Sequence, residues 1–371
     1  MRRARRLWPA ITSWENLVNA THRAALGKRS RPDVAAFLCN QEFELAAIRR
    51  ELLDGTYLPG PYRHFEIREP KPRRISAAPF RDRVVHHAAT QILEPIIEPR
   101  FVPVSFACRQ GLGTHAAIEH VQRAVKPGSY ALCCDIRKYF ANIDHAILMG
   151  QLERFVDCGP TLALLRAVLD GFHEREPVIS YFPGDTLFTP LSLCRGLPLG
   201  NQTSQFFANV YLNGLDHCIV RQLRPRAYAR YVDDLVLVDD SKILLAEARV
   251  AIEEQLTSLR LRLHPGKSRV YRAVDGVSFL GWRLFPGYRR LARKNVIRFR
   301  RRLRVLADEG DWEATRQSVA AWIGHAMHGA TWRLREQIFE AVPVRIERLA
   351  ESPKNNFFGG FAACKREERK E

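Results

Sequence analysis

"YARYVDDLVLVDD", residues 228–240, sets four carboxylates into a stretch that otherwise reads as apolar strand. Asp233 and Asp234 separate Tyr231-Val232 from Leu235-Val236-Leu237-Val238, a run that would bury well on both faces of a sheet. A buried carboxylate is costly unless it is paired or bound to metal. Asp239 and Asp240 precede "SKILLAEA" and suit the cap of a helix, as does Asp144 in "NIDH". Asp233 and Asp234 are harder to place. Alone, such a pair also suits a solvated turn.

Composition narrows the choice. The 371 residues give room for two or three subdomains, and 46% hydrophobic with 10% aromatic residues marks a globular protein. Lys and Arg number 58 against 40 Asp and Glu, a net +18 with a pI near 9.9. That excess points to a polyanionic partner, nucleic acid first. A membrane surface is the rival, but no basic amphipathic anchor stands apart from the folded pattern, and no apolar run nears the roughly 18 residues of a spanning helix. "MRRARRLWPAITSW" is basic without an apolar core or a small-residue cleavage site, so a cytoplasmic location is expected. Cysteines 39, 108, 133, 134, 158, 194, 218 and 364 form no C-x-x-C pair; their apolar contexts predict small buried hydrophobes, not a disulfide framework or zinc site.

The first third reads as largely helical. "DVAAFLCNQEFELAAIRRELLDG" (33–55) has helical apolar spacing and a stop at Gly55. "YRHFEIREPKPRRISAAP" (62–79) alternates and predicts a short strand pair with a basic turn, and 80–101 returns to helix. A helix at 113–125 then feeds the strand "SYALCCDI" (129–136), and helices follow at 144–156 and 161–172. Next come a long helix at 206–223, the opening stretch as a strand pair, a helix at 244–261 and "GVSFLGWRLF" (276–285) as a closing strand. The chain from about Asn295 is helical and basic. The expected fold class is α+β with a helical appendage.

The strand "YALCC" ends at Asp135, 98 positions before Asp233 (233 − 135), so only the fold could unite them. Two strand-end aspartates are what Mg²⁺ needs, since it binds through one or two carboxylates plus substrate phosphates. Two such ions roughly 3.5–4 Å apart can activate an attacking oxygen and stabilise a leaving one.

Tyr231-Val232-Asp233-Asp234 resembles the catalytic hairpin of reverse transcriptases, and "CCDIRKYFANIDH" (133–145) resembles the same family's first catalytic-aspartate segment. "KPRRISAAPFRDRVVHHA" (71–88) resembles the finger segment, and "FVPVSFACRQGLGTHAAI" (101–118) the segment after it. "GLPLGNQTSQFFANVYLN", "LRLHPGKSRV" and "GVSFLGWRLF" resemble the later palm blocks, in the same order. The resemblance covers roughly residues 14–285. In "LGNQTSQ" (199–205), Leu199 stands where most of the family has Gln and Gln205 where it has Pro. That variant is similar to the reverse transcriptases of diversity-generating retroelements, within the group II intron-like bacterial enzymes.

The resemblance implies a right-hand polymerase: an N-terminal region and fingers at 1–130, palm at 131–285 with finger-side helices about 145–190, and a basic helical thumb with tail at 286–371. It implies that Asp135, Asp233 and Asp234 are catalytic and, with the Ile136 carbonyl, hold two Mg²⁺ ions. Lys71 and Arg73 would contact the triphosphate, with Arg74 an alternative to Arg73. Phe140, five residues past Asp135, would abut the sugar and exclude a 2′-hydroxyl, although "KYF" also suits a core. Leu199, Gly200 and Lys267 complete the nucleotide set. Trp282, Arg298, Arg301 and Arg302 would contact nucleic acid; a run such as "VIRFRRRLRVL" also suits a solvated face. His325 and His328 lack an accompanying carboxylate or Cys and read as part of a packed helix pair, not a metal site.

The implied activity is RNA-directed DNA synthesis from dNTPs on an RNA template with a DNA or RNA primer. In the diversity-generating class the template is a repeat RNA, the cDNA carries errors at adenines, and a small basic accessory variability protein takes part. A reverse transcriptase of another bacterial lineage, serving phage defence or a retron, is the alternative within enzymes. A catalytically silent RNA-binding scaffold is the alternative outside them.

Overall fold

The computed structural model describes residues 3–67, 72–174 and 180–340. Its architecture is α+β, in two compact units. One holds the chain up to Ala124 together with Gly128–Arg272; the other holds Val125–Pro127 and the chain from Ala273 onward. The stretch 276–285, read from sequence with the palm, falls in the second unit, as does the strand pairing that continues to Leu291.

In the first unit, α1 (Trp14–Ala25) starts at Ser13, whose hydroxyl accepts from the Asn16 amide. Helix α2 (Pro32–Cys39) leads to α3 (Gln41–Asp54), which ends at Gly55 in the left-handed region, φ 69°, as the sequence predicts. Helix α4 (Phe80–Ile97) buries Val84, Val85, Ala88, Ala89, Leu93 and Ile97 completely. Each large aliphatic side chain so buried contributes about 2 kcal/mol. Asn16 of α1 donates to the Ala88 carbonyl at 3.0 Å, tying the two helices together. The expected strand pair forms between α3 and α4: β1 (Arg63–Ile67) and β2 (Arg73–Ala77) are antiparallel, with Ile67 opposite Arg73.

Four antiparallel strands make the central sheet: β3 (Tyr130–Asp135), β4 (Ala227–Tyr231), β5 (Asp234–Asp239) and β6 (Arg269–Arg272), in the order β4-β5-β3-β6. Alternation along the strands gives the sheet two faces. Leu132, Cys134, Tyr228, Leu235 and Leu237 line one face and join the main core with α8 (Gln202–Cys218) and α9 (Lys242–Ser258). Helices α5 (Thr114–Ala124), α6 (His145–Glu153) and α7 (Gly159–Asp170) precede α8 in the chain, with β3 between α5 and α6. Asp144 caps α6, accepting from Ala146 and Ile147; Ser241, not an aspartate, caps α9. Asp239 instead accepts from the amides of Arg226 and Ser241. Of the cysteines expected to be buried, Cys134 is; Cys39, Cys108 and Cys194 are exposed.

In the second unit the expected closing strand is a hairpin. Strands β7 (Val277–Phe279) and β8 (Trp282–Phe285) turn at Leu280 and Gly281, both with positive φ (45° and 86°), and β9 (Tyr288–Leu291) pairs with β8. Two left-handed residues make the type I′ form of the two-residue hairpin, but Leu-Gly lacks the usual Asn-Gly signature. Helices α10 (Arg293–Glu309), α11 (Trp312–Ala326) and α12 (Trp332–Glu340) pack around Phe299, Leu303, Val319, Ile323 and Ile338. Phe299 stacks on Trp322 with ring centroids 4.2 Å apart. No helix among the described residues is long and apolar enough to cross a membrane.

Candidate active site

The sheet register brings the distant aspartates together. Asp135, last residue of β3, lies directly opposite Asp234, first residue of β5, and directly opposite residues of an antiparallel pair share a face. Val232 and Asp233 form the two-residue turn from β4 to β5. Val232 has φ 58°, an outlier for a β-branched residue that costs about 1–3 kcal/mol. The Ile136 amide donates to the Asp233 carbonyl at 3.2 Å, fastening the turn to the end of β3. On the other side of β3, the His264 amide donates to the Asp135 carbonyl at 2.7 Å and Ile136 bridges Leu263. The strand end is pinned from both sides.

Lys267 belongs to the loop so anchored, and its ammonium pairs with the Asp135 carboxylate. Burial pushes the Asp233 carboxyl above the usual range, and the like charge of Asp135 pushes it further; Arg73 and Lys267 pull it back. Two carboxylates and two cations therefore share one electrostatic site. The two arginines of the doublet at 73–74 have different surroundings on β2. Arg73 acts on Asp233, whereas Arg74 lines a cavity of about 100 Å³ with His64, Ser76, Phe140, Leu197 and Leu199. Lys71 lies outside the described residues.

Phe140 is half-buried and lines that cavity, as does Leu199, so residues read from separate sequence blocks line one space. The Leu197 amide donates to the Phe140 carbonyl at 2.8 Å, which fixes one block on the other. Gly200 has φ 108°, a conformation that L side chains rarely adopt; space is not the constraint, since a Cβ there would sit 3.7 Å from Ile75. Phe172, His173 and Glu174 also line the cavity, and sequence reasoning missed all three.

Trp282 requires correction. It is 1% exposed, packed against His325 at 5.2 Å between ring centroids, with Arg289 over its ring and Gly329 so close that a Cβ there would come within 2.4 Å. It supports the interior of the second unit and offers no surface to nucleic acid. His325 is thereby part of that packing, and the His328 carbonyl accepts from Arg289. Arg298, Arg301 and Arg302 are exposed on α10, while Phe299 and Leu303 turn inward.

Sequence reasoning also missed Arg230 and Asp216. Both are fully buried, and the Arg230 guanidinium grips both Asp216 oxygens at 2.7–3.0 Å. The sequence signal was a charge at the centre of "YARY", inside a strand with no room for water.

Hard oxygen donors converge at the β3 end and the hairpin, the chemistry suited to a divalent ion such as Mg²⁺. Among the described residues no group of three His, Cys, Asp or Glu side chains could hold a metal by itself. Two carboxylates, a backbone carbonyl and substrate phosphates still fit the ion, and the mutual repulsion of Asp135 and Asp233 is what a cation relieves.

The sequence profile of the reverse transcriptase (RNA-dependent DNA polymerase) family matches residues 67–284, more than half of the chain. The chain belongs to the reverse transcriptase family. Among curated relatives, this reverse transcriptase is 28% identical to protein YkfC of Escherichia coli K12 over 297 residues, 68% of this chain and 74% of that one. It is 28% identical over 184 residues to the group II intron-encoded protein LtrA of Lactococcus lactis, covering 48% of this chain but only 29% of LtrA. Nuclear intron maturase 2 of Arabidopsis thaliana is 34% identical over 141 residues, 34% of this chain and 19% of the maturase. The protein is an RNA-directed DNA polymerase, with an RNA template, a primer and nucleotides as its substrates.

Proposed function

We propose that this reverse transcriptase copies a template-repeat RNA into adenine-mutagenised cDNA for a diversity-generating retroelement, with a small basic accessory variability protein as partner. The observation that carries this reading is Leu199, an apolar residue that lines one cavity with Phe140 and Arg74. A Gln there could hydrogen-bond the sugar of an incoming nucleotide and hold it against the template base. Leucine fills similar volume without a polar group, so a mispaired nucleotide loses less on misalignment. Each ~1.4 kcal/mol of lost discrimination is tenfold in error.

In the proposed mechanism the first unit up to about residue 130 forms fingers, the central sheet is the palm, and α10–α12 form the thumb. Asp135, Asp233 and Asp234, with the Ile136 carbonyl, would hold two Mg²⁺ ions, which would supply acidification of a primer 3′-hydroxyl and neutralisation of the departing pyrophosphate. The chain's own residues position the reactants. Arg73, Lys267 and Lys71 bind the triphosphate, and Lys267 exchanges Asp135 for phosphate as the nucleotide enters. Phe140 blocks a 2′-hydroxyl, and Gly200 admits the template-primer backbone. Arg298, Arg301 and Arg302 grip the hybrid by charge and shape.

A second reading, a reverse transcriptase of another bacterial lineage, is favoured by the group II intron-encoded relatives. Copying one defined RNA with wild type and Leu199→Gln, then sequencing the cDNA, separates the two. The diversity-generating reading expects errors concentrated opposite adenine in wild type and reduced in Leu199→Gln with synthesis retained. A flat error spectrum in both rejects it.

A further inference from the structure

Arg230 lies in the middle of the fold, where a charge is hardest to keep. It is 0% exposed, on β4, two residues before the turn outlier Val232. Burial alone would lower its pKa, but the Asp216 carboxylate raises it, so the guanidinium stays charged. Its donors are divided between two tasks. Nε and Nη2 hold both oxygens of Asp216, which also accepts from the Tyr228 hydroxyl at 2.7 Å. Nη1 turns the other way, to the Asn209 side-chain oxygen at 3.1 Å and the Val232 carbonyl at 3.2 Å. Asp216 and Asn209 stand seven residues apart on α8, so one helix face anchors the arginine. The backbone of Arg230 is fixed as well, donating to Val104 at 3.0 Å and accepting from Phe106 at 2.9 Å.

The Val232 carbonyl and the Asp233 amide belong to one planar peptide. A donor that fixes the carbonyl therefore fixes the plane of that peptide, and with it the backbone from which the Asp233 carboxylate projects. On its other side Asp233 is held by the Ile136 amide. We propose that Arg230, anchored by Asp216 and Asn209, is the positioning residue that holds the strained Val232–Asp233 peptide and thereby aims the Asp233 carboxylate. This rests on the reading of Asp233 as catalytic.

Packing alone does not account for the pair. A buried ion pair can often be replaced by apolar residues of similar volume with no loss of stability, whereas removing one partner strands the other charge. An apolar side chain could fill the space of Arg230, but it could not donate to the Val232 carbonyl. The left-handed valine would then lose the hydrogen bond on the far side of its peptide, and a two-residue turn has few other restraints.

The test uses the full chain carrying Asp216→Leu with Arg230→Met, which removes both charges together, and Arg230→Lys as a second variant. Four quantities are read: thermal midpoint, affinity for a primed RNA template, kcat and KM for dNTP, and amide hydrogen exchange of the 231–236 segment without metal. The expected double variant melts near wild type and binds template-primer normally. Its kcat falls on the order of 100-fold, as for a slightly misplaced reacting group, with KM little changed, and its turn amides exchange faster in metal-free protein. Arg230→Lys keeps a charge for Asp216 but cannot fork to Val232, so it loses kcat and turn protection too; it decides the matter if the double variant does not fold. Wild-type kcat with unchanged turn exchange in a folded variant overturns the proposal and makes the pair a packing device. Asp233→Asn in parallel keeps the two readings apart: full activity there defeats the catalytic assignment, whatever Arg230 does.

Discussion

Lys267 lays its ammonium on the carboxylate of Asp135, which lies 132 positions earlier in the chain. The pairing exists because the loop carrying Lys267 hangs on the Asp135 carbonyl through the His264 amide. In the proposed mechanism this long-stemmed cation exchanges the Asp135 carboxylate for the triphosphate. Lys267→Met should raise KM for dNTP by roughly 10–100-fold, the worth of a charge-assisted hydrogen bond, with template-primer affinity unchanged. Steady-state kinetics at saturating template-primer checks this, and an unchanged KM would make the pairing purely structural.

Phe140 shares its cavity with Leu199 instead of being sealed in the core. Phe140→Ala should therefore raise rNTP incorporation relative to dNTP, by about tenfold or more if the ring's steric exclusion is worth ~1.4 kcal/mol. Single-nucleotide extension with matched rNTP and dNTP measures the ratio. No change would leave the ring a packing residue.

The exposed arginines of α10 predict steep salt dependence of template-primer binding, with log K linear in log salt. Reversing the charge at Arg301 and Arg302 should flatten that slope by about one unit for each phosphate that is no longer neutralised. Binding titrations across a salt series would detect it. An identical slope places this helix away from the nucleic acid.

His86 on α4 is fully buried with neither ring nitrogen hydrogen-bonded, and burial lowers its pKa to about 3. The unfolded chain then binds a proton near pH 6.5 that the folded one refuses. Its contribution is complete above that pH and is lost as pH falls toward 3, at up to ~1.4 kcal/mol per pH unit. Denaturant unfolding from pH 7 to 4 should show this slope. His86→Phe should reduce it while remaining folded at pH 7, and a slope unaltered in that variant would assign acid sensitivity elsewhere.

The sequence carried the outline of the fold because its strong signals are local. Gly55 ends its helix, Asp144 caps one, and alternation at 62–79 gives a strand pair. The aspartates were legible as strand-end carboxylates, but their meeting depends on register, which no local pattern specifies. Two features stayed hidden for the same reason. The β7–β8 turn uses Leu280 in a left-handed conformation that its side chain does not advertise. Arg230 needs Asp216, fourteen residues away, before its burial makes sense. Trp282 misled because an aromatic in a basic stretch suits both a nucleic-acid surface and an interior, and only its 1% exposure decides.

In the proposed mechanism Asp233, held in the hairpin beside the end of β3, carries nucleotide transfer. Asp233→Asn keeps the shape of the side chain and removes its charge, so extension of a primed RNA template by this variant isolates that role. Incorporation should fall by at least ~10³-fold, as expected when several kcal/mol of metal-borne stabilisation is lost. Affinity for the same template-primer should stay within about threefold, because binding is set by the basic surface. Wild-type incorporation by Asp233→Asn would overturn the assignment of Asp233 to the chemistry.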